Sequence, residues 1–371
     1  MTHTIYQPTI KNEIEHELKR QIFLFWQYGG DNRSLCNQEC GKYYKGKLYC
    51  YGTKDKANKS FWNNNPEQWE AALERLDAEH GNTGIYFVFS YGESMIMNGF
   101  YEAVAIIGRH PKWTLCMVTN LSIDPTRLVN TKLAKEGRLF MHPSWHPYGM
   151  PDKEKGWETF KKHLLILQAA NIPTHVLYCW WKPQTKLFVE YFKWLDEHGF
   201  RVNVRRFVEY RKGIRIPIIH KRLFSGSHLS KYTKAEKAYL YANTCAKVTK
   251  YGLDLTSCKG KLCTAGSDMI LVKYNGNVAY CADTEGTNIG NIFNPTFHLL
   301  KSPIKCPTCI CGGDYGMLHI IDEAFPPNIK HLPNDAFLSI AEEMPLPEPN
   351  KPYPYHKRSE MMKWLNKIKE Q

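Results

Sequence analysis

Apolar residues recur along the first two hundred positions at two alternating spacings, and the alternation carries most of the fold. Ile22-Phe23-Leu24-Phe25-Trp26 is a continuous apolar run of strand length. From Pro66 to Glu79 the spacing changes to that of a helix, with Trp69, Leu73 and Leu76 on one stripe and proline in the first turn. The same exchange then repeats. Strands are predicted over Ile85–Ser90, Trp113–Thr119, Arg138–Ser144, Thr174–Trp180 and Arg201–Phe207. Helices are predicted over Asn98–Gly108, Pro125–Glu136, Lys155–Ala170 and Lys186–His198. The stretch Lys155–Ala170 shows the helical period best, because Trp157, Phe160, Leu164 and Leu167 fall on one face. A short polar helix, Lys11–Arg20, is expected ahead of the first strand.

Short apolar strands separated by amphipathic helices imply right-handed βαβ crossovers and a parallel sheet. Six strands are too few to close an eight-stranded barrel, so the expected fold class is α/β, a partial (β/α)6 TIM-like barrel. Chemistry in such folds gathers at the C-terminal ends of the strands. The loop carrying Cys36, Cys40 and Cys50 follows the first strand, and Gly92-Glu93 follows the second.

The alternation stops near Pro217. A polar, helix-prone stretch covers Tyr232–Thr249, and a cysteine-rich region follows. Within it, Leu271–Tyr274 and Val278–Tyr280 flank Asn275-Gly276-Asn277, a strong hairpin signal. From Pro326 the chain is rich in proline. The expected organisation is an N-terminal helical extension over 1–21, the partial barrel over 22–217, a small cysteine-rich domain over 218–320 and a proline-rich tail over 321–371.

Composition adds little to this picture, and charge adds a question. The chain of 371 residues is 43% hydrophobic and 23% charged, within the range of soluble globular proteins. No apolar run approaches the roughly 18 residues that a membrane span requires, so no membrane partner is expected. Met1-Thr2-His3-Thr4 has neither the basic start nor the apolar stretch of a secretory signal, and a cytoplasmic location is expected. A net charge of +13 fits either an acidic partner such as nucleic acid or lysines scattered over solvated helix faces.

The twelve cysteines alter the picture most. Cys36, Cys40 and Cys50 form one set, and Cys258, Cys263, Cys281, Cys306, Cys309 and Cys311 form another. Grouped thiols in a reducing compartment hold metal more often than they form disulfides. On spacing alone, structural zinc and an iron–sulfur cluster both remain open. Cys116 and Cys179 in apolar strands and Cys245 in a helix-prone stretch suit small buried side chains. His142 and His146 are four apart, but Pro143 and Pro147 disfavour a helix there, so a metal pair is not expected.

Order and motif together resemble the radical S-adenosylmethionine (AdoMet) enzymes, in particular those with a C-terminal SPASM or twitch auxiliary-cluster domain. Cys36-Asn37-Gln38-Glu39-Cys40 looks like the opening CNxxC of that family. Tyr91-Gly92-Glu93-Ser94 looks like its Gly-Gly-Glu-Pro segment, and Thr119-Asn120 like its Thr-Asn after the third strand. The family spaces its cysteines CxxxCxxC, whereas Tyr43 stands three after Cys40 here. Cys50-Tyr51 resembles the closing Cys-aromatic after an insertion within 41–49.

The resemblance implies a 4Fe–4S cluster on Cys36, Cys40 and Cys50 with one iron open to AdoMet. It also implies AdoMet contacts from Gly92, Glu93, Asn120 and Ser144, Glu93 meeting the methionine amino group. Reductive cleavage would yield a 5′-deoxyadenosyl radical that takes hydrogen from a peptide, a protein or a small metabolite such as a carbohydrate. Electrons would come from a reductant such as flavodoxin or ferredoxin. Cys263, Gly276 and Cys281 match the SPASM rule of Cys followed by Gly-x4-Cys, which implies at least one auxiliary 4Fe–4S cluster. Its ligands would be Cys258, Cys263, Cys281 and one of Cys306, Cys309 and Cys311. Cys179, at the end of the fifth strand, is a candidate hydrogen-atom donor, with Tyr178, Trp180 and Trp181 lining a substrate pocket. The competing reading is a zinc-stabilised, basic nucleic-acid-binding protein, which leaves the βα units and Gly92-Glu93 without a purpose.

Overall fold

A computed structural model describes residues 21–27, 36–38, 65–90, 92–147, 152–180, 185–206, 257–281, 287–307, 311 and 319–321. The expected helix over 11–20, the proline-rich tail, and Cys40, Cys50, Trp181, Cys245 and Cys309 lie outside them. The described residues fall into two compact units. One draws on Gln7–Thr174 and Thr264–Ile304, the other on His175–Cys263 and Lys305–Gln371.

The first unit is built on a mostly parallel sheet. The strands β1 (Ile22–Trp26), β2 (Ile85–Phe89), β3 (Thr114–Thr119) and β4 (Leu139–Pro143) pair side by side in chain order. Between them run α1 (Pro66–Glu79), α2 (Phe100–Arg109), and two short helices, α3 (Thr126–Val129) and α4 (Lys132–Lys135). α5 (Lys153–Ala169) follows β4. Nearly every residue of β1–β4 is buried, as expected of parallel strands covered on both faces.

One helix of the sequence reading is two in the structure. Thr131 breaks Pro125–Glu136: its hydroxyl donates to Leu128 O at 2.7 Å and accepts from Ala134 N at 3.3 Å, capping α4. A β-branched residue that bonds both ways with the backbone favours this restart over a continuous helix. α2 likewise begins two residues later than expected, because Gly99 takes a left-handed conformation at φ 77° and serves as its N-cap.

The other edge of β1 is covered from far along the chain. β8 (Met269–Val272) pairs with it in parallel, β9 (Asn277–Ala279) returns antiparallel, and β10 (Gly290–Asn291) completes the sheet. This is the predicted Asn-Gly hairpin. Gly276, at φ 79°, occupies a backbone position that L-residues avoid, and an added Cβ would strike the ring of Phe293. Pairing β8 with β1 satisfies backbone groups that an open edge would leave exposed.

Aromatic packing holds α1 to the sheet. Trp69, fully buried, lies with its ring 5.0 Å from that of Trp26 and 4.7 Å from that of Phe293. Burial of this size contributes about 1.5–3 kcal/mol per side chain. Arg75 of α1 ties down the same segment, donating to Ile292 O and Phe297 O, both at 2.6 Å. Asp77 accepts from Gly84 N at 2.8 Å and Trp113 Nε1 at 2.7 Å, fixing the starts of β2 and β3.

In the second unit β5 (Val176–Trp180) and β6 (Val202–Arg206) pair in parallel with α6 (Thr185–Glu197) between them. This extends the βα alternation but forms a sheet of its own. β7 (Leu262–Cys263) pairs with β11 (Ile304–Lys305). No helix among the described residues is long and apolar enough to cross a membrane.

Candidate functional site at the strand ends

The C-terminal ends of β1–β4 bring four separate stretches of sequence together. After β2 the chain turns at Gly92, where φ is 69°. It then presents Glu93, fully buried, at the head of a single 3-10 turn, Ser94–Ile96. The Glu93 carboxylate accepts from three groups of its own chain. Met95 N reaches Oε1 at 3.1 Å, Asn120 N reaches Oε2 at 2.7 Å, and the Thr119 hydroxyl lies 2.9 and 2.8 Å from the two oxygens. Glu93 therefore clamps the end of β2 to the end of β3.

The turn after β3 is strained and heavily bonded. Leu121 is a buried non-glycine residue at φ 52°, a conformation that costs roughly 1–2 kcal/mol. Leu121 N donates to Thr119 Oγ1 at 2.9 Å, and His163 Nδ1 of α5 lies 2.8 Å from Leu121 O. A carbonyl oxygen only accepts, so that ring nitrogen carries the proton. Ser144, just beyond β4, donates its N–H to Thr119 O at 2.7 Å. Its side chain is nearly buried at the same strand end.

Cys36 joins this group from the loop after β1. Its Sγ accepts from Gln38 N at 3.5 Å and from Asn120 Nδ2 at 3.6 Å. A thiolate that is to hold iron needs N–H donors rather than an opposing carboxylate. Cys36 meets that requirement, since the oxygens of Glu93 are turned to backbone and hydroxyl donors. The donor set thus fits an iron–sulfur ligand, although Cys40 and Cys50 are outside the described residues.

Burial pushes the Glu93 carboxyl above its usual range, and the bonds from Asn120 N, Met95 N and Thr119 pull in the opposite direction. Burial also lowers His146, beyond Ser144, to about 4, so its ring is neutral at physiological pH. His142 is buried within β4.

The distal cysteines are distributed over both units. Cys258, Cys263 and Cys311 are buried and, with Cys306, belong to the second unit. Here the backbone makes a knuckle: Lys261 N donates to Cys258 O at 3.1 Å, Cys306 N to Lys261 O at 2.7 Å, and Gly260 N to Cys306 O at 2.9 Å. Cys281 belongs to the first unit. Cys179 lies in β5, in register with Arg205 of β6. Tyr178 is buried, with its ring stacked 3.8 Å from Phe188 of α6, and contributes to the packing of that helix.

Asn37, Ser122 and His163 were absent from the residues that the sequence singled out for chemistry. Asn37 sits inside the cysteine motif and Ser122 two residues beyond Thr119-Asn120. That proximity is the only signal the sequence offers for either. Nothing local marks His163, which reaches the turn from the buried side of α5.

No protein-family model matches the chain, and no curated protein matches it. Solved structures do. A histidine-tagged form of anSMEcpe with bound AdoMet superposes with a TM-score of 0.52 at 16% identity, over 75% of this chain and 76% of that one. Another, described as "Native anSMEcpe with bound AdoMet", gives 0.52 at 15% identity, over 87% of this chain and all of that one. At these identities the likeness is one of fold, and at that level the resemblance read from the motifs holds.

Proposed function

We propose that this chain, which shares its fold with AdoMet-binding proteins, is itself a radical AdoMet enzyme. One observation carries the reading. Cys36 of the early motif, Glu93 after β2 and Thr119-Asn120 after β3 are far apart in sequence, yet form one hydrogen-bonded group at the strand ends. A zinc-stabilised binding module has no use for that convergence.

Cys36, Cys40 and Cys50 would hold a 4Fe–4S cluster, and Gly92, Glu93, Asn120 and Ser144 would form the AdoMet site. When bound, the cluster and AdoMet would supply radical chemistry, one electron being spent to release methionine and leave a 5′-deoxyadenosyl radical able to take hydrogen from an unactivated C–H bond. The chain's own residues position and enclose. Glu93 fixes the two strand ends that carry the other groups, and the motif resemblance has it meet the methionine amino group. Ser144 offers a hydroxyl at the end of β4. Gly92 lets the backbone approach closely. His146, neutral at working pH, lends the surroundings no competing charge.

Cys258, Cys263 and Cys281 would bind an auxiliary 4Fe–4S cluster with one of Cys306, Cys309 and Cys311. Backbone pairing of Cys306 with the Cys258–Lys261 turn favours Cys306 as that ligand. Cys179 is proposed to give its thiol hydrogen atom to the product radical, leaving a thiyl radical that one electron from the external reductant and one proton would return to the thiol. The substrate is a peptide, a protein or a small metabolite.

Anaerobic purification tests the reading. The expected result is a brown protein with stoichiometric iron and sulfide that converts AdoMet to 5′-deoxyadenosine under a strong reductant. Cys36→Ala should lose both properties. A colourless protein that carries zinc and leaves AdoMet intact would overturn it.

A further inference from the structure

Asn120 does more at this site than end a strand. Its side-chain oxygen accepts from Ser122 N at 3.0 Å, and a backbone N–H can only donate. That contact fixes which way the amide faces. The two hydrogens on Nδ2 then point to Cys36 Sγ at 3.6 Å and Asn37 Oδ1 at 2.8 Å. Asn37 in turn donates from its own Nδ2 to Ser122 Oγ at 2.7 Å. Asn120, Asn37 and Ser122 thus close a ring, and every side-chain N–H of Asn120 is committed. Nearly buried at 6% exposure, Asn120 has little water to exchange these bonds with. The strained Leu121 between Asn120 and Ser122 is held by Thr119 and His163, so the ring rests on a rigid turn.

We infer that Asn120, locked by Asn37 and Ser122, is a positioning residue whose N–H···S bond orients the Cys36 sulfur and raises the reduction potential of the cluster bound there. The inference rests on the function proposed above. The physical reason is charge. Reduction adds an electron that spreads onto the ligand sulfurs, and an N–H donor aimed at one of them stabilises the more negative state. Gln38 N also donates to Cys36 Sγ, but as a backbone group it is removed only by proline, which would also reset the backbone of the motif. Asn120 supplies the donor that can be removed alone. The ring adds precision, because Ser122 N holds the amide oxygen and Asn37 Oδ1 holds one Nδ2 hydrogen, which leaves the other hydrogen for the sulfur.

The test is a redox titration of the anaerobically reconstituted full chain, followed by EPR without AdoMet. Wild type is compared with Asn120→Asp, Asn37→Ala, Ser122→Ala and Ser122→Thr. Asn120→Asp keeps the shape and replaces the donor by an acceptor. At the wild-type midpoint its ratio of reduced to oxidised cluster should fall about tenfold, a shift of about 59 mV to lower potential for one electron. Asn37→Ala, which removes the partner of the other Nδ2 hydrogen and loosens the amide about its remaining bond to Ser122 N, should shift the ratio about threefold in the same direction. Ser122→Ala should behave like Asn37→Ala, and Ser122→Thr, which keeps the hydroxyl, should restore the wild-type value.

Pulsed EPR after exchange into D2O should show a deuteron coupled to the wild-type cluster that is lost in Asn120→Asp. The charge added in Asn120→Asp lowers the potential by itself, so the neutral variants discriminate: a structural role alone would leave the Asn37→Ala and Ser122→Ala midpoints unchanged. Unchanged midpoints in iron-replete Asn120→Asp and Asn37→Ala would overturn the inference while leaving the enzyme reading intact. Should Asn120→Asp fail to retain iron, Asn37→Ala decides by the same titration. Wild-type protein that takes up no iron would overturn both.

Discussion

Glu93→Gln isolates the clamp at the strand ends, because the shape hardly changes while the bonding does. In the native chain both carboxylate oxygens face donors that cannot turn away, Met95 N on one side and Asn120 N on the other. Glutamine has one acceptor oxygen. Its amide nitrogen must therefore face one of those N–H groups, donor against donor, in a fully buried place. An orphaned buried backbone N–H costs roughly 1–3 kcal/mol, and the weakened Thr119 bond adds about 1, so the variant should lose about 2–4 kcal/mol.

The pH dependence has a definite sign. Burial raises the folded-state carboxyl above its ordinary value of 4.5, so the fold favours the protonated form. That contribution is fully present below 4.5 and is lost as the pH rises through the higher folded-state value. Glutamine does not titrate. The stability gap between wild type and variant should therefore be widest below pH 4.5 and narrow as the pH rises. Urea unfolding of the metal-free protein, followed by tryptophan fluorescence at three pH values, measures it. A gap below about 0.5 kcal/mol throughout would refute the clamp, and one that widens with pH would mean that the bonds to the carboxylate outweigh its burial.

Other substitutions probe the scaffold around the site. Arg138 gathers the carbonyls of Gly108, His110 and Trp113 at 2.9, 2.8 and 2.5 Å, and Arg138→Met should cost about 3 kcal/mol by leaving those acceptors unmatched, read as a lower urea midpoint. Arg75→Lys keeps the charge but loses the fork between Ile292 O and Phe297 O, so amide exchange should quicken at 292–297 and hardly change in β3. Gly276→Ala should destabilise by about 2–4 kcal/mol, since it adds strain at positive φ to a clash with Phe293. His146, lowered to about 4 by burial, makes a contribution that is present above its unfolded value of 6.5 and lost as the pH falls toward 4; His146→Gln should flatten that part of the acid unfolding curve.

The sequence by itself determined the order of elements and which motifs would meet at the strand ends. Period alone delimited β1 and α1, which the structure reproduces at Ile22–Trp26 and Pro66–Glu79. Apolar spacing is local information, and burial on both faces of a parallel strand leaves a plain trace in it. The motifs with Cys36, Gly92-Glu93, Asn120 and Ser144 were legible for a related reason: each follows a strand, and successive parallel strands put their ends together.

Only tertiary structure decided the rest. That β8 lies beside β1 is a choice between edges, and neither stretch of sequence says which edge it will meet. The break at Thr131 turns on a hydroxyl bonding in two directions, which a periodic apolar stripe does not register. The roles of Glu93 and Asn120 depend on which donors arrive from other strands, and Tyr178 was claimed by Phe188 in α6. Hydrogen bonding is directional and short in range, so its partners become known only when the chain has brought distant residues within about 3 Å.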